Sequence, residues 1–297
     1  MQNVTPVAVV ALALELAPAV LFGCAAERVA RAVGRWPVTV RIVFPALLVA
    51  PYVVVSISGH MFQWSWFALY AALPVVIAWL LLRAAAADPA TADREQRGNW
   101  RDALILLVLG LAVDWRWFDR AWPSGLRALN ELFLVAAGLY GFLAIRQLDG
   151  TGFDFHLKWS DWKTGLRELL FFTPLVLVLG LALGFIHPHR NLPGVGSALL
   201  RWVAIFFFTA VPEELFFRGW VQNLLERRVG RRAALVVASL LFGLSHFNKR
   251  SAHFNWRYVL LATIAGIFYG RAWRENRRVP ASTITHASVD WLWGLWF

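Results

Sequence analysis

The stretch WVAIFFFTAVPEELFFRGW, Trp202 to Trp220, places two adjacent glutamates and an arginine inside an otherwise apolar run. About 20 mostly apolar residues suffice to cross a bilayer as a helix. Ionisable side chains within such a helix are expensive and mark functional positions. Similar runs recur along the whole chain, at Val4–Ala25, Ile42–Gly59, Trp64–Leu82, Ala103–Val113, Ala128–Ile145, Leu169–His187, Gly196–Phe217, Ala233–Phe247, Tyr258–Trp273 and Pro280–Phe297. Hydrophobic residues make up 59% of the 297 positions and charged residues 16%, against about 25% charged in soluble domains. The sequence therefore reads as all-α, a polytopic transmembrane helix bundle of about 8–10 spans with a polar intramembrane cavity. The fourth and eighth runs are too short to span unaided.

The net charge of +11 does not point to nucleic acid. The arginines cluster in short segments between apolar runs, as topology signals do, and the tryptophans suit interfacial belts. With the N-terminus outside, the cytoplasmic loops hold 20 Arg or Lys and the outer loops 6, which supports that orientation. Cys24 is the only cysteine, so neither an intrachain disulfide nor a cysteine-based metal site is open to the chain. No Lys or Arg precedes Arg28, so the first run lacks the basic flank of a signal peptide and reads as a retained span. The stretch RAAAADPATADREQRGNW, Arg83 to Trp100, is the candidate boundary between a three-span unit and the rest. SDWKTGLRELL, Ser160 to Leu170, reads either as an interfacial helix with Ser160 as its N-cap or as a basic loop.

Three clusters in the last third lie away from span ends. On a helix, Glu214 and Arg218 are i,i+4 neighbours and can pair. Glu213 is turned about 100° from Glu214 and faces something else. Pro212 perturbs the helix just before them. FGLSH puts Phe242 and His246 at i,i+4, and HASVD does the same for His286 and Asp290. Three helices thus offer Glu213, His246, His286 and Asp290 to one interior point. A buried carboxyl with a histidine beside it can take a proton from water. A second histidine and a carboxyl or amide can position a carbonyl and stabilise an oxyanion. Two histidines and a carboxylate are equally a zinc ligand set, and spacing alone does not separate the two. The other histidines, His60, His156, His187, His189 and His253, fall at loops or span ends and read as interfacial or solvated.

EELFFR (Glu213–Arg218), FGLSH (Phe242–His246) and HASVD (His286–Asp290), in this order, resemble the EExxxR, FxxxH and Hxxx-Asn/Asp motifs of the CAAX protease and bacteriocin-processing (CPBP/Abi) family, which includes the type II CAAX prenyl endopeptidases. The resemblance covers about residues 197–297. It implies a catalytic core at 196–297 behind a variable N-terminal membrane region of about six spans at 1–195. It further implies a glutamic-type intramembrane endopeptidase, in which Glu213 and His246 activate water and His286 and Asp290 form the oxyanion and positioning side. Glu214, Arg218 and Phe242 would be supporting residues. Relatives carry Asn at the position of Asp290, and an ionised Asp cannot donate to an oxyanion. Asp290 would then be protonated, orient His286, or hold a water.

The reading needs no cofactor, and Zn²⁺ is the less favoured version. The implied partner is a membrane-anchored protein or peptide substrate in the lipid bilayer, with no nucleic acid. Lys occurs only at Lys158, Lys163 and Lys249 among the basic residues, and Ala, Arg and Trp abound, as in a GC-rich bacterial genome. The expected location is the inner cell membrane, multi-pass. Two alternatives stand beside the peptidase: a non-catalytic immunity or scaffold protein keeping the family fold, and a proton-coupled transporter using Glu213. The transporter is disfavoured because such proteins often carry internal repeats and none is seen here.

Overall fold

The computed structural model describes residues 5–90, 95–188, 193–249 and 253–297. Val4, His189 and the loop cations Arg94, Arg190 and Arg250 lie outside them. The described chain is helical, with no strand. The helices are α1 (Pro6–Gly34), α2 (Val38–Ser58), α3 (Trp64–Ala87), α4 (Trp100–Asp114), α5 (Ser124–Ile145), α6 (Trp159–Ala182), α7 (Val195–Val229), α8 (Arg231–Leu244), α9 (Trp256–Asn276) and α10 (Val279–Trp296).

Each apolar run of the sequence is thus helical, as a polytopic helix bundle requires. Among the described residues, six helices are long and apolar enough to cross a membrane: α1, α2, α3, α5, α6 and α7. At 15 and 14 residues, α4 and α8 are too short. The polar and small residues of α9 and α10 lower their hydropathy, so neither meets the combined demand of length and apolarity.

The chain forms two compact units, the first ending at Asp149 and the second running Gly150–Phe297. Within the second unit, α6 packs on α9 and α10. The contact is close: the Thr285 hydroxyl donates to the Gly165 carbonyl at 3.0 Å. The stretch Arg83–Trp100 is not a boundary between the two units. It lies within the first unit, where the buried Arg146 guanidinium reaches Asp88 at 2.5 Å and Asp102 at 3.0 Å. SDWKTGLRELL is helical rather than a loop. It forms the first turns of α6, whose N-cap is Lys158 rather than Ser160, with the Lys158 N–H donating to Asp161 at 2.9 Å.

In the second unit, α8 leans on α9 at a glycine. A Cβ on Gly243 would lie 2.6 Å from the Val259 carbonyl oxygen and would meet the Thr263 side chain. Only Gly allows this approach, and the turn carrying His246 follows directly. Gly243→Ala is expected to destabilise the protein by about 1–3 kcal/mol, the usual range for overpacking. Thermal unfolding in detergent reads this as a lowered midpoint.

Candidate active site

Glu213, Glu214 and Arg218 lie on α7. Its backbone widens into π-helical turns at Phe206–Ala210 and Leu215–Gln222, on either side of the short α-helical piece Val211–Glu214. Pro212 has no N–H to give the carbonyl four residues back, and π-turns are frequent at functional sites. The helix continues past Phe217 to Val229, and α8 starts directly after Gly230. Gly230 has φ of 80°, which suits a reversal that residues with a Cβ resist.

Glu214 is fully buried and holds two partners. One carboxylate oxygen accepts from Arg218 Nε at 3.0 Å, the other from His286 Nδ1 at 2.9 Å. The guanidinium of Arg218, also fully buried, lies 5.2 Å from the Phe242 ring centroid, and its two terminal nitrogens have no hydrogen-bond partner. Phe242 is the hub of the packing. Its ring meets Phe217 edge-on at 5.1 Å, stands perpendicular to His286 at 5.6 Å and lies 4.9 Å from His246.

His286 sits between carboxylates. With Nδ1 on Glu214, its Nε2 lies 3.5 Å from Asp290 and 3.9 Å from Glu213. Tyr269 of α9 stacks on the ring at 4.6 Å. His246 lies just beyond the end of α8, in the turn that follows. Its Nδ1 is 2.8 Å from the Phe242 carbonyl oxygen. A carbonyl only accepts, so Nδ1 carries the proton and Nε2 of the neutral ring is left as an acceptor.

Glu213 faces away from Glu214. Its side chain is 25% exposed, with one oxygen 3.7 Å from Lys249 Nζ and the other, Oε2, buried without a hydrogen bond. No hydrogen bond joins Glu213 to His246 among the described residues; the two approach through His286 and Lys249. An apolar cavity of about 300 Å³ opens beside the group, with His246, His286 and Asp290 on its wall together with Tyr258, Tyr269 and Trp293.

The structure therefore brings Glu213, His286 and Asp290 to one point and places His246 on the same cavity. Sequence reasoning missed Lys249, Tyr269 and the second partner of Glu214. Lys249 follows His246 by three residues, a spacing that one helical turn keeps on the same side; Tyr269 left no such signal. Glu15, in the middle of α1, was also passed over. It is 2% exposed, and neither carboxylate oxygen has a hydrogen-bond partner.

With this geometry in view, the chain was compared with known proteins. Residues 195–292 match the family model Rce1-like, described as type II CAAX prenyl endopeptidase Rce1-like. Over these residues the chain is similar to the Rce1-like family. No curated protein and no solved structure gave a match. The family is one of proteases, and the Rce1-like segment contains Glu213, Glu214, Arg218, Phe242, His246, His286 and Asp290. Together with six apolar helices, this supports a multi-pass membrane protein with a segment similar to type II CAAX prenyl endopeptidases. Among the described residues, no group of three or more His, Cys, Asp or Glu side chains is arranged to hold a metal ion.

Proposed function

We propose that the protein is a glutamic-type intramembrane endopeptidase, which hydrolyses a peptide bond of a membrane-anchored protein or peptide in the inner membrane of a bacterial cell. The observation that carries this reading is His286, held at Nδ1 by Glu214 while Nε2 lies beside Glu213 and Asp290 on the wall of a cavity shared with His246. That constellation supplies a base, a neutral histidine acceptor and a supported donor, which are the parts needed for amide hydrolysis by water.

In this mechanism a water donates one hydrogen bond to His246 Nε2 and loses its proton to Glu213. Its oxygen adds to the scissile carbonyl carbon. The oxyanion that forms is met by the Nε2–H of His286, a donor favoured there by the surrounding carboxylates. The proton on Glu213 passes to the amide nitrogen, the C–N bond breaks, and a carboxylic acid and an amine leave. General acid–base catalysis of this kind contributes about 10²–10⁴-fold. The apolar wall of the cavity favours a substrate with an apolar group next to the scissile bond.

Asp290 orients His286 in this account and does not touch the oxyanion. An amide oxygen at the same place can accept the same hydrogen bond. Asp290→Asn is therefore expected to keep cleavage within about tenfold of wild type, whereas Asp290→Leu is expected to lose about 10²-fold, the scale of a positioning defect at a reacting centre. Rates of both variants on one substrate check this.

The substrate itself comes from the membrane proteome of a deletion strain. A peptidase predicts accumulation of peptides that run across an uncleaved junction. A scaffold or immunity protein predicts altered abundances with every junction processed as in wild type, and that result would remove the reading.

A further inference from the structure

We propose that Lys249 is a positioning residue of the peptidase, the cation that keeps Glu213 charged and aimed at the reacting centre. The inference rests on the reading of Glu213 as the base. Glu213 stands on a membrane-spanning helix, and its buried Oε2 has no hydrogen bond. An ionised carboxylate so placed is costly without a partner, and a protonated one cannot take a proton from water. Glu214 does not share this difficulty, since Arg218 and His286 bind it on both oxygens. Among the described residues, the Lys249 ammonium comes nearest to Glu213, at 3.7 Å from one oxygen, with His286 Nε2 at 3.9 Å from the other.

The backbone holds Lys249 in place. Its N–H donates to the His246 carbonyl at 3.2 Å, and its carbonyl accepts from the Asn255 side chain at 3.2 Å. Asn255 also caps α9, accepting from the Tyr258 N–H. The turn that presents His246 to the cavity is therefore the one that presents Lys249 to Glu213, and both are tied to the start of α9.

The choice of lysine is informative in a chain whose other basic residues, apart from Lys158 and Lys163, are arginines. Arginine would clamp the carboxylate with two parallel hydrogen bonds. Lysine gives a single point charge on a flexible stem. It neutralises Glu213 yet leaves its oxygens free to accept from water. The two side chains are 40% and 25% exposed, so the pair is partly open at the surface of the helices.

The test uses the full chain in membranes and has two parts. A water-soluble carbodiimide activates the Glu213 carboxyl; the Lys249 amine then attacks, an amide forms and the urea leaves. The expected product is a Glu213–Lys249 isopeptide, one water lighter by mass spectrometry and missing in Lys249→Met and Lys249→Arg. In the second part, the variants are assayed on the junction left uncleaved in the deletion strain. Lys249→Met is expected to lower kcat by about tenfold or more, on the scale of acid–base contributions, with KM within about twofold. Lys249→Arg keeps the charge but can clamp the carboxylate, and should restore only part of the rate. Full activity in Lys249→Met, or equal losses in both variants with unchanged unfolding midpoints, would overturn the proposal. If Lys249→Met is active while Glu213→Gln is dead, the role of Lys249 fails and the peptidase reading stands. If Glu213→Gln is itself active, both fall.

Discussion

Glu213→Gln is expected to abolish cleavage, by about 10³-fold or more, while leaving the fold intact. The amide is nearly isosteric with the carboxyl, so packing at the 25%-exposed position barely changes. What is lost is the ability to accept a proton, since an amide oxygen accepts hydrogen bonds but is not a base at neutral pH. Removing a general base removes its full contribution, and here the same group also carries the proton to the leaving nitrogen. The loss should fall on kcat, because binding through the apolar cavity does not involve the carboxylate. Turnover of the junction peptide by purified wild type and variant, with unfolding midpoints measured in parallel, separates lost chemistry from lost structure.

Glu214→Ala should act in the opposite way, through structure first. Glu214 and Arg218 are both fully buried and pair at 3.0 Å. Breaking a buried pair by removing one partner costs about 3–5 kcal/mol, because the other charge stays buried and uncompensated. Arg218 would be left with the Phe242 ring as its main neighbour, its terminal nitrogens already lacking partners. His286 loses the carboxylate that fixes its Nδ1 proton and ring orientation. The variant is expected to express poorly and to unfold at a clearly lower temperature. Glu214→Gln should recover part of the stability, because the amide oxygen still accepts from one of the two donors. A Glu214→Ala protein as stable as wild type would show that the pair is not what holds α7 in place.

The parts of this site governed by helical spacing were legible in the sequence. Glu214 and Arg218 at i,i+4 pair as the spacing dictates, and Glu213 turns to a different face. Phe242 touches His246, and His286 touches Asp290, for the same reason. Contacts set by tertiary packing were not legible. The reach of Glu214 to His286 crosses 72 positions of sequence. Lys249 lies in a turn whose direction depends on Asn255 capping the next helix.

Hydropathy located the helices but did not say which of them pack together. Gly165 lets α6 approach α10 closely, a contact within the second unit that hydropathy does not signal. Among the described residues, six helices qualify as spans by length and apolarity alone. Once α9 and α10 carry the polar residues of the site and its supports, they are no longer apolar enough to qualify by composition.

The most direct test of the central claim compares three strains: wild type, deletion, and deletion complemented with Glu213→Gln at matched expression. Membrane proteomics then follows the peptides that run across uncleaved junctions. The account predicts that the Glu213→Gln strain accumulates the same precursors as the deletion strain, which also names the substrate. If the complemented strain processes them as wild type does while the deletion does not, Glu213 is not the base, and the protein works by binding.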